Sequence, residues 1–193
     1  TKGALQGKIL RDMPVLCWDT VRYIGDRVAA VAAETPEAAE EALIALEVDY
    51  EVLPAVFDPM EAQNPDAPLL HEDIASYVGA PLELMAPDVH NGQTRLAWTK
   101  GDLKQGFREA DVVLEHSFSI PSRHQGYIEP FASIIAIDDE GRIEAWCSSK
   151  APFRARRQMA QALDLDEENI RVNVTSIGGD FGGKGDTRDL PIA

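Results

Sequence analysis

Cysteine is scarce in this sequence: Cys17 and Cys147 are the only two in 193 residues. Two cannot build a disulfide scaffold and their spacing matches no metal site, so each reads as a small buried hydrophobe suited to a reducing, cytoplasmic compartment. Long apolar runs are missing as well. None approaches the length of a membrane span, and the N-terminus carries no signal-peptide pattern. The four histidines, His71, His90, His116 and His124, form no recognisable metal pattern. Cations are sparse and uneven. The formal charge is -15, and no Lys or Arg lies between Arg27 and Arg95, against 14 acidic residues in that interval. This excludes a nucleic-acid binder, whose phosphate contacts need clustered cations. The acidic stretch reads as a solvated face, with docking of a basic partner as the alternative.

What remains is a globular composition, 45% apolar and 26% charged, enough for one large domain or two small ones. The opening Thr1-Lys2-Gly3-Ala4 and the closing "RDLPIA" read as the ends of a piece of a longer polypeptide. In "VRYIGDRVAAVAAE", Gly25-Asp26 is a turn dipeptide that predicts a hairpin of two short strands. "TPEAAEEALIALEV" follows as a helix: Thr35 suits the N-cap, Pro36 the first helical position and Glu37 to Glu41 the positive helix end. Ala39, Leu43 and Leu46 share one face, and Val48, Tyr50 and Val52 then alternate as a strand. The block is a β-β-α-β arrangement, a small α+β unit.

Residues 54–92 are rich in Pro, Asp, Asn and Ala and read as linker or surface loop. The predicted division is a first domain over 1–75, a linker to about 92 and a second domain over 93–193. The second part is strand-rich and mixed α/β. "TRLAWTKG", "DVVLEHSFSI", "ASIIAID" and "RIEAWCSS" read as strands, the last two joined by the turn 138–141. Helices are predicted at "DLKQGFREA" and at "PFRARRQMAQAL". A last strand, "NIRVNVTSI", runs straight into "SIGGDFGGKG", which holds five of the chain's 14 glycines.

Paired glycines remove Cβ atoms and permit positive φ, so successive N–H groups can face a bound oxygen. A plain turn between core strands is the other reading. Two standard loops are excluded by spacing: Gly179 and Gly182 do not fit G-x-G-x-x-G, and Gly179 to Gly183 leaves three intervening residues where a P-loop needs four.

"GGDFGGKG" resembles the glycine loop of the xanthine dehydrogenase/aldehyde oxidase family of molybdenum hydroxylases, which lies against the molybdopterin cofactor. About fifty residues upstream, "HQGYIEP" with the apolar strand "FASIIAI" resembles the family's glutamine-bearing segment ending in [IL]-E. The block from Val21 to Ala62 resembles the α/β hammerhead domain that opens the molybdenum-binding subunit. The three matches stand in the family's order and cover nearly the whole chain.

The resemblance implies hydroxylation of an aldehyde or nitrogen heterocycle with water as the oxygen source. It implies molybdopterin as cofactor, as such or in its dinucleotide form, with iron–sulfur clusters and FAD on partner domains or subunits. The other partners it implies are the remainder of the molybdenum subunit and a small-molecule substrate, in an oligomeric enzyme. Gln125 is then the donor to the metal's oxo ligand, where by itself it would read as a surface side chain. Gly178, Gly179, Phe181, Gly182 and Gly183 are the cofactor-binding residues, and Phe181 also walls the substrate channel. No residue of this chain is expected to ligate the metal directly. Lys184 reads as a phosphate-facing cation or an exposed loop lysine, and Glu129 as structural, orienting the segment after Gln125. Arg154, Arg156 and Arg157 point in differing directions along their helix and read as a solvated face. Asp180 replaces a glycine common in the family's loop. Gly185 stands where purine-oxidising members tend to carry glutamate, which favours an aldehyde or another heterocycle. The family's general base, a glutamate in a G-x-G-E segment, is not in this chain, so the piece alone is expected to be inactive and empty of cofactor. Two other readings stay open: a non-catalytic assembly or carrier module, and a phosphate- or nucleotide-binding α/β domain.

Overall fold

A computed structural model describes residues 5–7, 10–80, 83, 85–186 and 190–193. The fold is mixed α+β, with two small sheets and three α-helices among the described residues. Two residues each, β1 (Leu5–Gln6) and β2 (Met13–Pro14), pair antiparallel near the N-terminus. Helix α1 (Pro36–Ala45) begins as its sequence dictates: the Thr35 hydroxyl accepts the Ala38 N–H at 3.2 Å and proline takes the first position, which answers two of the N–H groups every helix start leaves without a partner. A second helix, α2 (Leu103–Glu109), is capped in the same way by Asp102.

The core lies in the second half. Strands β3 (Ser133–Ile137), β4 (Ile143–Cys147) and β5 (Ile170–Val174) form a sheet in the order β3-β4-β5. β3 and β4 make an antiparallel hairpin, with Ser133 opposite Cys147 and Ile137 opposite Ile143. β4 and β5 run parallel, joined through helix α3 (Pro152–Leu163). On β4 the alternate residues Ile143, Ala145 and Cys147 are buried, and they meet Ala155, Met159 and Ala160 of α3, with Ile170 and Leu190 closing the cluster. The period of two on the strand and the spacing of three to four on the helix put these side chains on facing surfaces. α3 stops where Asp164 turns left-handed at φ 56° and the Leu165 N–H returns to the Ala160 carbonyl. Cys147 is buried in this core, whereas Cys17 is only half-buried.

Several predicted strands are absent. The segments around Gly25-Asp26, over 48–52, over 94–101 and over 111–120 form no strand. The turn itself is present: Gly25 has φ 106° and the Asp26 N–H bonds to the Tyr23 carbonyl. A strand, however, exists only by continued pairing, and among the described residues these segments make no more than an isolated antiparallel bridge, Thr94 to Met85, and a backbone bond from the Cys17 N–H to the Arg27 carbonyl. Their apolar side chains stay exposed, with Val52 at 91% and Trp98 at 90% of full accessibility. Helix α1 likewise buries none of its residues, and Leu43 and Leu46 on its apolar face stay exposed.

The topology brings three segments to one place. β4 and β5 are parallel, so the loops after Cys147 and after Val174 leave the same end of the sheet. β3 is antiparallel to them, so the segment before Ser133 enters at that end too. This is the carboxyl end of a parallel pair, where open α/β sheets gather their ligands.

Candidate functional site

The two motifs about fifty residues apart in sequence are packed against each other. Glu129 joins them: its Oε2 accepts the Gly178 N–H at 2.9 Å and also takes the ammonium of Lys184. Lys184 is completely buried, at 0% exposure. It is therefore neither an exposed loop lysine nor a cation aimed at a phosphate. Its Nζ lies 4.9 Å above the Tyr127 ring and 5.9 Å from that of Phe131, two rings set edge to face at 5.7 Å. Aromatic faces attract a cation, the more so when it is out of water. Lys184 and the Gly178 N–H together hold the Glu129 carboxyl below its usual range.

The glycines divide into two faces. Gly178, Gly179 and Gly183 are bare because the segment 124–131 sits against them. A Cβ at Gly178 would stand 2.7 Å from the Glu129 Cβ, one at Gly179 would stand 3.1 Å from the Tyr127 Cβ, and one at Gly183 would stand 2.6 Å from the Tyr127 ring and 3.3 Å from Gln125 Cδ. Gly182 faces the other way, with nothing within 4 Å, and Phe181 beside it is 75% exposed. Phe181 has φ 44° and Gly182 φ 96°. A left-handed phenylalanine is costly and persists only where its surroundings hold it.

Asp180 supplies that hold. Its Oδ1 accepts the Lys184 N–H at 2.5 Å, and its Oδ2 accepts the Gly182 N–H at 3.0 Å and pairs with Lys150 Nζ at 2.5 Å. The Gly183 N–H bonds to its carbonyl. Lys150 above all, helped by the Gly182 and Lys184 N–H groups, pulls the Asp180 carboxyl down to about 2. A carboxylate held below its ordinary 3.8 stabilises the fold fully above that value, and its contribution fades as pH falls toward 2. Wild-type stability is accordingly expected to drop between roughly pH 4 and pH 2 more steeply than that of Asp180→Asn, with the gap between the two closing at the acid end. Thermal melts of both proteins across that range check it.

The amides predicted to serve a cofactor are thus sorted. Those of Gly178, Gly182 and Gly183 are bonded internally, whereas no bond to the Gly179 or Phe181 N–H is found among the described residues. Gln125 is exposed beside the loop. The arginines of α3 part company, as their spacing implies. Arg156 and Arg157 both reach Glu167, and Arg154 bonds the Gly185 carbonyl at 3.4 Å. Sequence reasoning missed Tyr127, whose ring seats both motifs, and the part played by Lys150. An aromatic two residues before the glutamate was the only available signal for the first. None existed for the second, because its partner is thirty residues away.

Comparison with known proteins decides the family. Residues 86–193 match the model of the molybdopterin cofactor-binding domain, and residues 2–54 match the a/b hammerhead domain of aldehyde oxidase and xanthine dehydrogenase. The chain belongs to the xanthine dehydrogenase/aldehyde oxidase family. It is 35% identical over 187 residues to a probable xanthine dehydrogenase subunit of Bacillus subtilis, covering 97% of this chain and 23% of that protein. It is 33% identical to the nicotinate dehydrogenase large molybdopterin subunit of Eubacterium barkeri, covering 92% of this chain and 38% of that subunit. The crystal structure of the Cu,Mo-CO dehydrogenase in its carbon monoxide reduced state superposes with a TM-score of 0.73 at 32% identity, over 89% of this chain and 22% of that one. This member of the family thus spans between a fifth and two fifths of the length of these relatives. Among the described residues no helix is long and apolar enough to cross a membrane.

Proposed function

We propose that the chain supplies one wall of the molybdopterin site of an oxidoreductase that hydroxylates an aldehyde or N-heterocycle with oxygen from water. The observation that carries this reading is the convergence of Gln125 and the glycine loop, seated on each other through Tyr127, Glu129 and Lys184. The donors left over are of the kind such a cofactor needs. Gly179 and Phe181 offer neutral N–H groups on the loop, and Gln125 adds a neutral amide, so an electron-rich ligand is met by donors without a competing charge. When bound, molybdopterin supplies the oxygen-transfer and two-electron chemistry. This chain's residues orient and shield: Gln125 donates to the reacting ligand, the two loop amides anchor its surroundings, and the exposed Phe181 ring walls the substrate channel. Gly185 leaves no carboxylate to hydrogen-bond a purine immediately after the loop, which supports an aldehyde or a different heterocycle. The internal bonding of the Gly182 and Lys184 amides speaks against the phosphate- or nucleotide-binding alternative.

The general base, the iron–sulfur clusters and the flavin belong to other domains or subunits in this reading. The free thiols of Cys17 and Cys147 suit a cytoplasmic setting. The proposed division of the chain remains a hammerhead-like unit to about residue 75, a linker to about 92 and the first part of the cofactor domain after it. Molybdenum and pterin analysis of the full-length subunit tests the proposal, together with Gln125→Ala. The variant is expected to retain cofactor and lose about 10²-fold in kcat with KM little changed, the cost of one oxyanion donor. A properly folded full-length protein without molybdenum overturns the reading.

A further inference from the structure

The glycine loop is a nest of backbone donors, and the chain fills it with a group of its own. Gly179, Phe181 and Gly182 all have positive φ, a backbone course that turns successive N–H groups toward a common point. Two such groups, from Gly182 and Lys184, converge with the Lys150 ammonium on the two oxygens of one carboxylate. Backbone amides joined by one cation form the donor set that a phosphate or sulfate requires.

We propose that Asp180 is the resident anion of an oxyanion nest formed by Gly182 N, Lys184 N and Lys150 Nζ. Its carboxylate holds the loop in shape before any ligand arrives and shuts external oxyanions out of those donors. Of the five residues assigned to the cofactor, Gly179 and Phe181 then keep amides for a bound group, a consequence that rests on the cofactor reading above; the nest itself does not. The backbone of Lys150 is anchored independently of Asp180, because its own N–H bonds the Lys184 carbonyl at 3.0 Å, so the ammonium stays within reach of the nest. Removing the carboxylate therefore strands two amides and an ammonium around an empty centre, a site that an inorganic oxyanion can fill.

The test titrates inorganic phosphate by calorimetry into the cofactor-free full-length subunit as wild type, Asp180→Gly and Asp180→Gly/Lys150→Met. Asp180→Gly is expected to bind one more phosphate per chain than wild type, and the added Lys150→Met to weaken that site about tenfold, as loss of a charge-assisted bond implies. Phosphate should also raise the melting temperature of Asp180→Gly more than that of wild type, because it binds only the folded loop. If Asp180→Gly does not fold in phosphate-free buffer, recovery of the fold on adding phosphate is the expected result, and Asp180→Ala is titrated in its place. Equal phosphate stoichiometry in wild type and both variants, or an added site indifferent to Lys150, overturns the proposal. Absence of molybdenum from the intact subunit would sink the cofactor reading and leave the nest standing, so the two failures are distinguishable.

Discussion

Gly183→Ala is expected to be among the most damaging single changes in the glycine loop. The added methyl would stand 2.6 Å from the Tyr127 ring, 3.2 Å from the Asp180 carbonyl and 3.3 Å from Gln125 Cδ. The ring cannot simply swing aside. It is flanked by His124 at 4.9 Å and Phe131 at 5.7 Å, with the Lys184 ammonium over its face. Overpacking of this kind costs about 1–3 kcal/mol. The displacement would also carry Gln125 away from the loop, so the full-length variant should lose molybdopterin content as well as stability. Gly106→Ala, inside α2 with open space around it, is the control; it should stabilise that helix by up to about 1 kcal/mol. Denaturant unfolding and pterin analysis of both variants settle the comparison, and equal behaviour would mean that Gly183 does not seat the upstream segment.

The second large effect belongs to Lys184→Met. Methionine keeps most of the buried stem and removes only the charge, so the loss reads the ion pair rather than a cavity. Glu129 would keep its bond from the Gly178 N–H and lose its cation, and the space between Tyr127 and Phe131 would lose the charge their faces attract. Breaking one half of such a pair is worse than removing both halves. Lys184→Met should therefore lower the melting temperature and several-fold reduce bound cofactor in the full-length subunit, whereas Lys184→Met/Glu129→Gln should recover part of the loss. Lys184→Arg should recover less, because the wider guanidinium must enter a fully enclosed space. If the double variant melts no higher than Lys184→Met, the pair does not act as a unit.

The parts of the fold legible in the sequence are those whose causes are local. Thr35 and Pro36 announce the start of α1, and the alternation of Ile143, Ala145 and Cys147 announces a buried strand. The turn at 138–141 joins β3 and β4 as its residues imply. The segments over 48–52 and 111–120 alternate just as well and yet form no strand, because alternation states which side chains share a face but not which backbone will pair with it. The same divide runs through the site. Gln125 and the paired glycines are visible as motifs, whereas the role of Lys184 is not: a lysine in a glycine-rich loop looks solvated until a glutamate 55 residues upstream is found beside it.

By itself the sequence determined the motifs, their order along the chain, the helix starts and the left-handed turns that only glycine adopts without strain. Tertiary structure alone decided that Glu129 takes the Gly178 amide, that Lys150 reaches Asp180 from thirty residues away, and that Lys184 is a buried counter-ion. The physical reason is range. Capping and turn formation act over a few residues, but pairing a charge or saturating an amide depends on what the fold brings within about 3 Å, and here that partner arrives from another strand's end.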